Sequence, residues 1–139
     1  MNEMIMDTGF LFALMNKRDA AHTRCMRTMQ SLHANVLLPV TVLPETAYLI
    51  EQRVGHRAMR AFVSRMSEAI WDIAAIEKVD LSRAHQILET YSSLNLDFVD
   101  ATLIALAERL NIRTMLTLDR RHFGVVRPRH VASFELLPE

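Results

Sequence analysis

Apolar residues along this chain fall into two kinds of stretch that alternate from one end to the other. Short runs bounded by polar residues, Met4-Ile5-Met6, Val36-Leu37-Leu38, Ile70-Trp71-Asp72-Ile73 and Thr114-Met115-Leu116-Thr117-Leu118, have the length and continuity of strands, three of them buried. Longer stretches over residues 21–32, 45–54, 58–66, 81–91 and 96–110 repeat their apolar positions at helical spacing. Strands separated by helices imply a parallel sheet, because each crossover brings the chain back to the same edge. The pattern therefore predicts an α/β fold in one continuous domain over residues 1–139. Three glycines and four prolines leave little room for long linkers, and no repeat or low-complexity segment interrupts the alternation.

Composition narrows the setting. Half of the 139 residues are apolar, enough for one real core. The single cysteine, Cys25, has no second thiol for a disulfide or a zinc pair, which points to a reducing compartment. The start, Met-Asn-Glu-Met-Ile-Met, lacks a basic leader, and no apolar run approaches the roughly 20 residues of a membrane span. A soluble, unprocessed, cytoplasmic protein with no membrane partner is expected.

Charge adds a constraint without naming a substrate. Sixteen basic and sixteen acidic residues cancel, which excludes the strongly basic footprint of a protein that grips nucleic acid mainly by its phosphates. The basic residues are almost all arginine, and Arg113, Arg120, Arg121, Arg127 and Arg129 crowd the last quarter of the chain. That cluster permits a local phosphate contact, and it equally describes a solvated face with ordinary surface pairs. The six histidines never reach a zinc or protease spacing. They read as surface residues, with His122, three positions after Asp119, as a turn histidine near a possible phosphate path.

Candidate chemistry resides in scattered acids, each of which also has a structural explanation. Asp7 ends the first apolar run, and Thr8-Gly9 then leads into Phe10-Leu11-Phe12-Ala13-Leu14. An acid at such a strand-to-helix turn faces the edge where parallel sheets gather ligands, and it also suits a helix N-cap. Glu45 follows Pro44 in a first helical turn, where negative charge complements the helix dipole. Asp97 and Asp100 open the helix around Leu103 to Leu106, three residues apart. Asp97 reads as its cap, whereas Asp100 sits so close to apolar packing that its charge requires a partner or a metal. Asp119 ends the last predicted strand beside Thr117, and its structural reading is a turn or cap aspartate paired with Arg120 or Arg121.

Taken in order, Met6-Asp7-Thr8-Gly9-Phe10-Leu11, Pro44-Glu45-Thr46-Ala47-Tyr48-Leu49, Asp97-Phe98-Val99-Asp100-Ala101-Thr102-Leu103-Ile104-Ala105 and Leu116-Thr117-Leu118-Asp119-Arg120-Arg121-His122-Phe123 resemble the PIN domain, in the stand-alone form of VapC-type toxins. The resemblance covers nearly the whole chain. It implies a three-layer α/β/α sandwich in which Asp7, Glu45, Asp100 and Asp119 form the acidic quartet. Asp97 corresponds to an additional acid, and Thr8 and Thr117 to polar positions that orient the others. It implies hydrolysis of RNA phosphodiester bonds by an endoribonuclease that uses Mg2+ or Mn2+, a homodimer, and a cognate antitoxin whose tail covers the acidic pocket.

Carboxylates without cysteine agree with Mg2+ or Mn2+ rather than zinc. Asp7 and Asp100 are expected to touch the metal, with Glu45, Asp119 and Asp97 supporting. Arg18, Arg24, Arg27 and the late arginines are the candidates for RNA phosphate. The principal alternative is a non-catalytic PIN-like module that binds RNA or protein. A phosphotransfer domain with Asp7 as nucleophile fits poorly, because Asp7-Thr8-Gly9 lacks a second aspartate at the next-but-one position.

Overall fold

The computed structural model describes residues 2–139. Strands β1 (Glu3–Met6), β2 (Asn35–Pro39), β3 (Asp72–Ala74), β4 (Thr114–Leu116) and β5 (Glu135–Leu137) form one sheet in the order β3-β2-β1-β4-β5. All four pairings are parallel, and at the centre Ile5 stands opposite Leu37 on one side and Met115 on the other. Parallel strands are covered on both faces, and Ile5, Met6, Met115 and Leu116 are accordingly fully buried.

The helices are α1 (Thr8–Met15), α2 (His22–Ser31), α3 (Val42–Arg53), α4 (His56–Glu68), α5 (Lys78–Thr90), α6 (Phe98–Leu110) and the single turn α7 (Arg120–Phe123). From β1 to β3 the chain moves outward in one direction, so right-handed crossovers place α1 to α4 on one face. There α1 packs on α2 and α3, and α3 on α4. After β3 the chain recrosses to β4, and the same handedness puts α5 and α6, packed on each other, on the opposite face. The result is a three-layer α/β/α sandwich around a parallel sheet.

The strand order changes direction between β1 and β4, which leaves a crevice beyond the carboxyl ends of these neighbours. Asp7 and Thr117 stand immediately past those two strand ends. The opposite wall comes from α6, whose residues Val99–Ala107 are buried without a break. A helix apolar on all sides belongs in the middle of a core, so its first turn is carried inward with it.

Each helix read from sequence spacing is present, its ends within three residues of expectation. Differences concentrate in the strands. β3 begins at Asp72 rather than Ile70, which is 96% exposed, because an edge strand has only β2 to pair with. β4 stops at Leu116, two residues early, where Thr117 turns its hydroxyl to the crevice. β5 and α7 were not anticipated: each is too short to show a period. Between α3 and α4, Gly55 has φ 139°, a conformation that side-chain-bearing residues rarely adopt.

Candidate active site

The starts of α1, α3, α6 and α7 gather at the crevice, each contributing residues that line it. Asp7 caps α1, and its Oδ1 accepts from the Thr8 amide at 2.7 Å. Its Oδ2 accepts from the Thr117 hydroxyl at 2.9 Å, and that hydroxyl oxygen accepts from the Asp119 amide, also at 2.9 Å. One threonine thereby fixes the ends of β1 and β4 relative to each other. Asp119 caps α7, accepting from the His122 amide at 3.0 Å, while its Oδ2 lies 2.8 Å from His122 Nδ1.

At the start of α6, Asp97 and Asp100 form a reciprocal capping box. The Asp100 amide donates to Asp97 Oδ1 at 2.8 Å, and the Asp97 amide donates to Asp100 Oδ2 at 3.3 Å. Glu45, in the first turn of α3, lines the same cleft as Asp7, Asp97, Asp100, Asp119 and His122, a space of about 480 Å³. Thr8 lines it too, with a buried hydroxyl that has no hydrogen-bond partner among the described residues. Capping and clustering are therefore not alternatives, since the same aspartates do both. The structure brings together all seven residues singled out from the sequence: the quartet, Asp97, Thr8 and Thr117. Thr117 reaches the site through its bonds to Asp7 and Asp119 rather than as part of the cleft wall.

Burial gives the quartet unequal electrostatics. Asp7 is 7% exposed, and desolvation pushes its carboxyl up to about 6 against the hydrogen bonds from Thr117 and Thr8, with smaller contributions from the charges of Glu45 and Asp119. Asp100, 8% exposed, is pushed up to about 8, first by desolvation and then by the charges of Asp97 and Asp7. Among the residues lining the cleft are five acids and no lysine or arginine. The protein thus supplies too little positive charge of its own for full ionisation near neutral pH.

That deficit, and the donor set, fit a divalent cation. One donor atom each from Asp100, Asp119 and His122 lie within 4.8 Å of one another. These are carboxylate oxygens and one imidazole nitrogen, with no thiolate. Asp7 stands outside this trio, and both of its oxygens already accept hydrogen bonds.

Three expectations require correction or extension. The side chain beside Asp119 is that of His122, not Arg120 or Arg121: Arg120 turns away to donate to the carbonyls of Leu136 and Pro138, and Arg121 is exposed. His122 is a wall of the cleft rather than a turn histidine, with its side chain only 20% exposed. The available signal was the spacing Asp-x-x-His, which sets a ring one turn above a capping carboxylate. Arg18, Arg24, Arg27, Arg113, Arg127 and Arg129 are exposed, and none lines the cleft. Asn95, left-handed at φ 54°, also lines the cleft and was not anticipated.

Residues 4–127 match the PIN domain family. Ribonuclease VapC26 of Mycobacterium tuberculosis is 30% identical over 135 residues, covering 97% of this chain and 100% of that protein. The 23S rRNA-specific endonuclease VapC20 of the same organism is 28% identical over 116 residues, 84% of this chain and 88% of its own. The crystal structure of Mycobacterium tuberculosis VapC20, a Sarcin-Ricin loop cleaving toxin, shares the fold with a TM-score of 0.81 at 26% identity, covering 92% of this chain and 98% of that one. Fold order, acidic cleft and these matches agree, and the chain belongs to the PIN domain family, among its VapC-like members.

Proposed function

We propose that this protein is a divalent-metal-dependent endoribonuclease and the toxin of a toxin-antitoxin pair, with Asp7, Glu45, Asp100 and Asp119 as its catalytic acids. The observation that carries the reading is the convergence of these four acids, from four separate elements, on one cleft whose walls hold no lysine or arginine. The names of the similar proteins, a ribonuclease and a 23S rRNA-specific endonuclease, support the substrate class.

Mg2+ or Mn2+, when bound, supplies charge neutralisation at the phosphate, a more acidic water and stabilisation of the leaving oxygen. Asp100 and Asp119 would hold it from α6 and from the end of β4. Asp7 closes the inner side of the cleft as a carboxylate kept rigid by Thr8 and Thr117, and it would support the metal directly or through water. Glu45, in the facing wall, orients the attacking water and takes its proton. The water oxygen bonds to phosphorus as the bond from phosphorus to the leaving ribose oxygen breaks, with no covalent enzyme intermediate. Asp97, exposed at the rim, supports Asp100 through the capping box. An antitoxin arginine seated among these acids would put a positive charge where the metal sits and block the cleft. An apolar groove lined by Leu43, Ala47, Phe62, Val63 and Met66 supports self-association as a homodimer.

The test is digestion of total and ribosomal RNA by purified protein, with cut ends mapped by sequencing. Discrete internal cuts with Mg2+ or Mn2+, suppressed by a chelator, are expected. Intact RNA in the presence of either metal overturns the proposal. Within this frame Thr117→Val, which keeps shape and removes the hydroxyl joining Asp7 to Asp119, is expected to lower Mn2+ affinity by about 10- to 100-fold. Its stability loss is expected to be about 1–3 kcal/mol. Isothermal titration and denaturant unfolding measure the two effects separately.

A further inference from the structure

His122 approaches the acids in a way that ordinary pairing does not explain. The capping bond from its own amide to Asp119 Oδ1 fixes the first turn of α7 and swings the ring over the cleft. Its Nδ1 then lies 2.8 Å from Asp119 Oδ2 and 3.6 Å from Asp100 Oδ2. The nitrogen is buried, yet neither oxygen stands in hydrogen-bonding geometry with it, so it has no partner among the described residues. Three donors from two sides of the crevice, β4–α7 and α6, therefore face a shared space at close range.

We infer that His122 is the nitrogen ligand of the metal centre, completing it with Asp100 and Asp119, and that this ligand makes the site select Mn2+ over Mg2+. The inference rests on the proposed reading of the cleft as a metal site. Octahedral ions with donors at about 2.1 Å set neighbouring donors about 3 Å apart, and the two observed separations lie on either side of that length. Mg2+ keeps to oxygen ligands and holds its waters, whereas imidazole binds transition ions more strongly. A lone nitrogen among carboxylates thus tilts the preference toward Mn2+ while leaving a site that Mg2+ still enters. Asp7, with both oxygens engaged by Thr8 and Thr117, then shapes the cleft from behind.

Pulsed EPR of the Mn2+-loaded protein tests this without any assay of activity. The wild type is expected to show the 14N coupling of a directly bound imidazole. His122→Asn, which keeps an oxygen donor near the same place, is expected to lose that signal and to bind Mn2+ about tenfold more weakly or worse. Its Mg2+ affinity, read by competition, should fall less, so the preference between the two ions narrows. Stoichiometric Mn2+ binding by the wild type without 14N coupling overturns the role of His122 and leaves the acidic metal site standing. Absence of Mn2+ binding, or binding that Asp100→Asn leaves unchanged, overturns the site and the ligand together.

Discussion

Asp100→Asn yields a folded protein that cleaves RNA about a thousandfold more slowly or worse, a loss of about 4 kcal/mol of transition-state stabilisation. It also yields a metal-free protein more stable than the wild type at pH 8. Both effects arise from one carboxylate. The substitution removes a charge from the centre of the cleft but keeps an acceptor for the Asp97 amide, so the capping box of α6 survives in part. The sign with pH follows from its raised pKa. Unfolded, Asp100 releases its proton near 3.8; folded, it holds it to about 8. Folding therefore takes up a proton across that window, and the stability it confers is lost as pH rises through the folded value. Asparagine has no such dependence. The variant is expected to match the wild type at pH 5 and to exceed it at pH 8 by about 2 kcal/mol, or about 5 °C in Tm. Asp7→Asn should behave alike with a narrower window, because burial lifts Asp7 only to about 6 and asparagine still caps α1. Cleavage assays with thermal melts at the two pH values check the pair. Full activity in both variants would remove these residues from the catalytic assignment.

The wild-type protein without metal is expected to lose stability steadily from pH 5 to pH 8, and a saturating divalent cation to restore it. Protons and metal compete for the same oxygens, so binding releases protons and weakens as pH falls. At a hundredfold excess over Kd a ligand adds about 2.7 kcal/mol, which for a domain of this size is about 5–10 °C in Tm. That shift should be nearly complete at pH 8, shrink toward pH 5, and vanish with chelator. Calorimetry over a pH series with Mn2+, with Mg2+ and with neither measures it directly. A metal shift of equal size at both ends of the series would mean that Asp7 and Asp100 do not lie at the cation.

The helices and the acids at their starts were legible in the sequence because both rest on local signals, and the ordered resemblance grouped those acids. Asp7 ends an apolar run, Pro44-Glu45 opens a helix, and Asp97 and Asp100 bracket a first turn. What remained hidden depends on pairing across space. Ile70 and Trp71 look like strand residues, but at an edge with one neighbour the pairing begins only at Asp72. β5 contributes three residues whose strand character comes from the hydrogen bonds that β4 offers. The grouping of Asp100 with Asp119 and His122, rather than with Asp7, could not be read from order alone, because it depends on distances between side-chain atoms across the crevice. Arg120 and Arg121 were natural partners for Asp119 by sequence proximity. The cap geometry instead favours the residue three positions on.

The bond from the Thr117 hydroxyl to Asp7 joins residues 110 positions apart. An emerging chain that has made β1, α3 and α6 already carries Asp7, Glu45 and Asp100. It still lacks the hydroxyl that aligns Asp7, together with Asp119 and His122. Long-range closures of this kind come late in folding, since the loop entropy must be overcome before the contact forms. On the proposed activity, synthesis itself acts as a timer: the nascent enzyme stays silent beside ribosomal RNA until translation has passed His122.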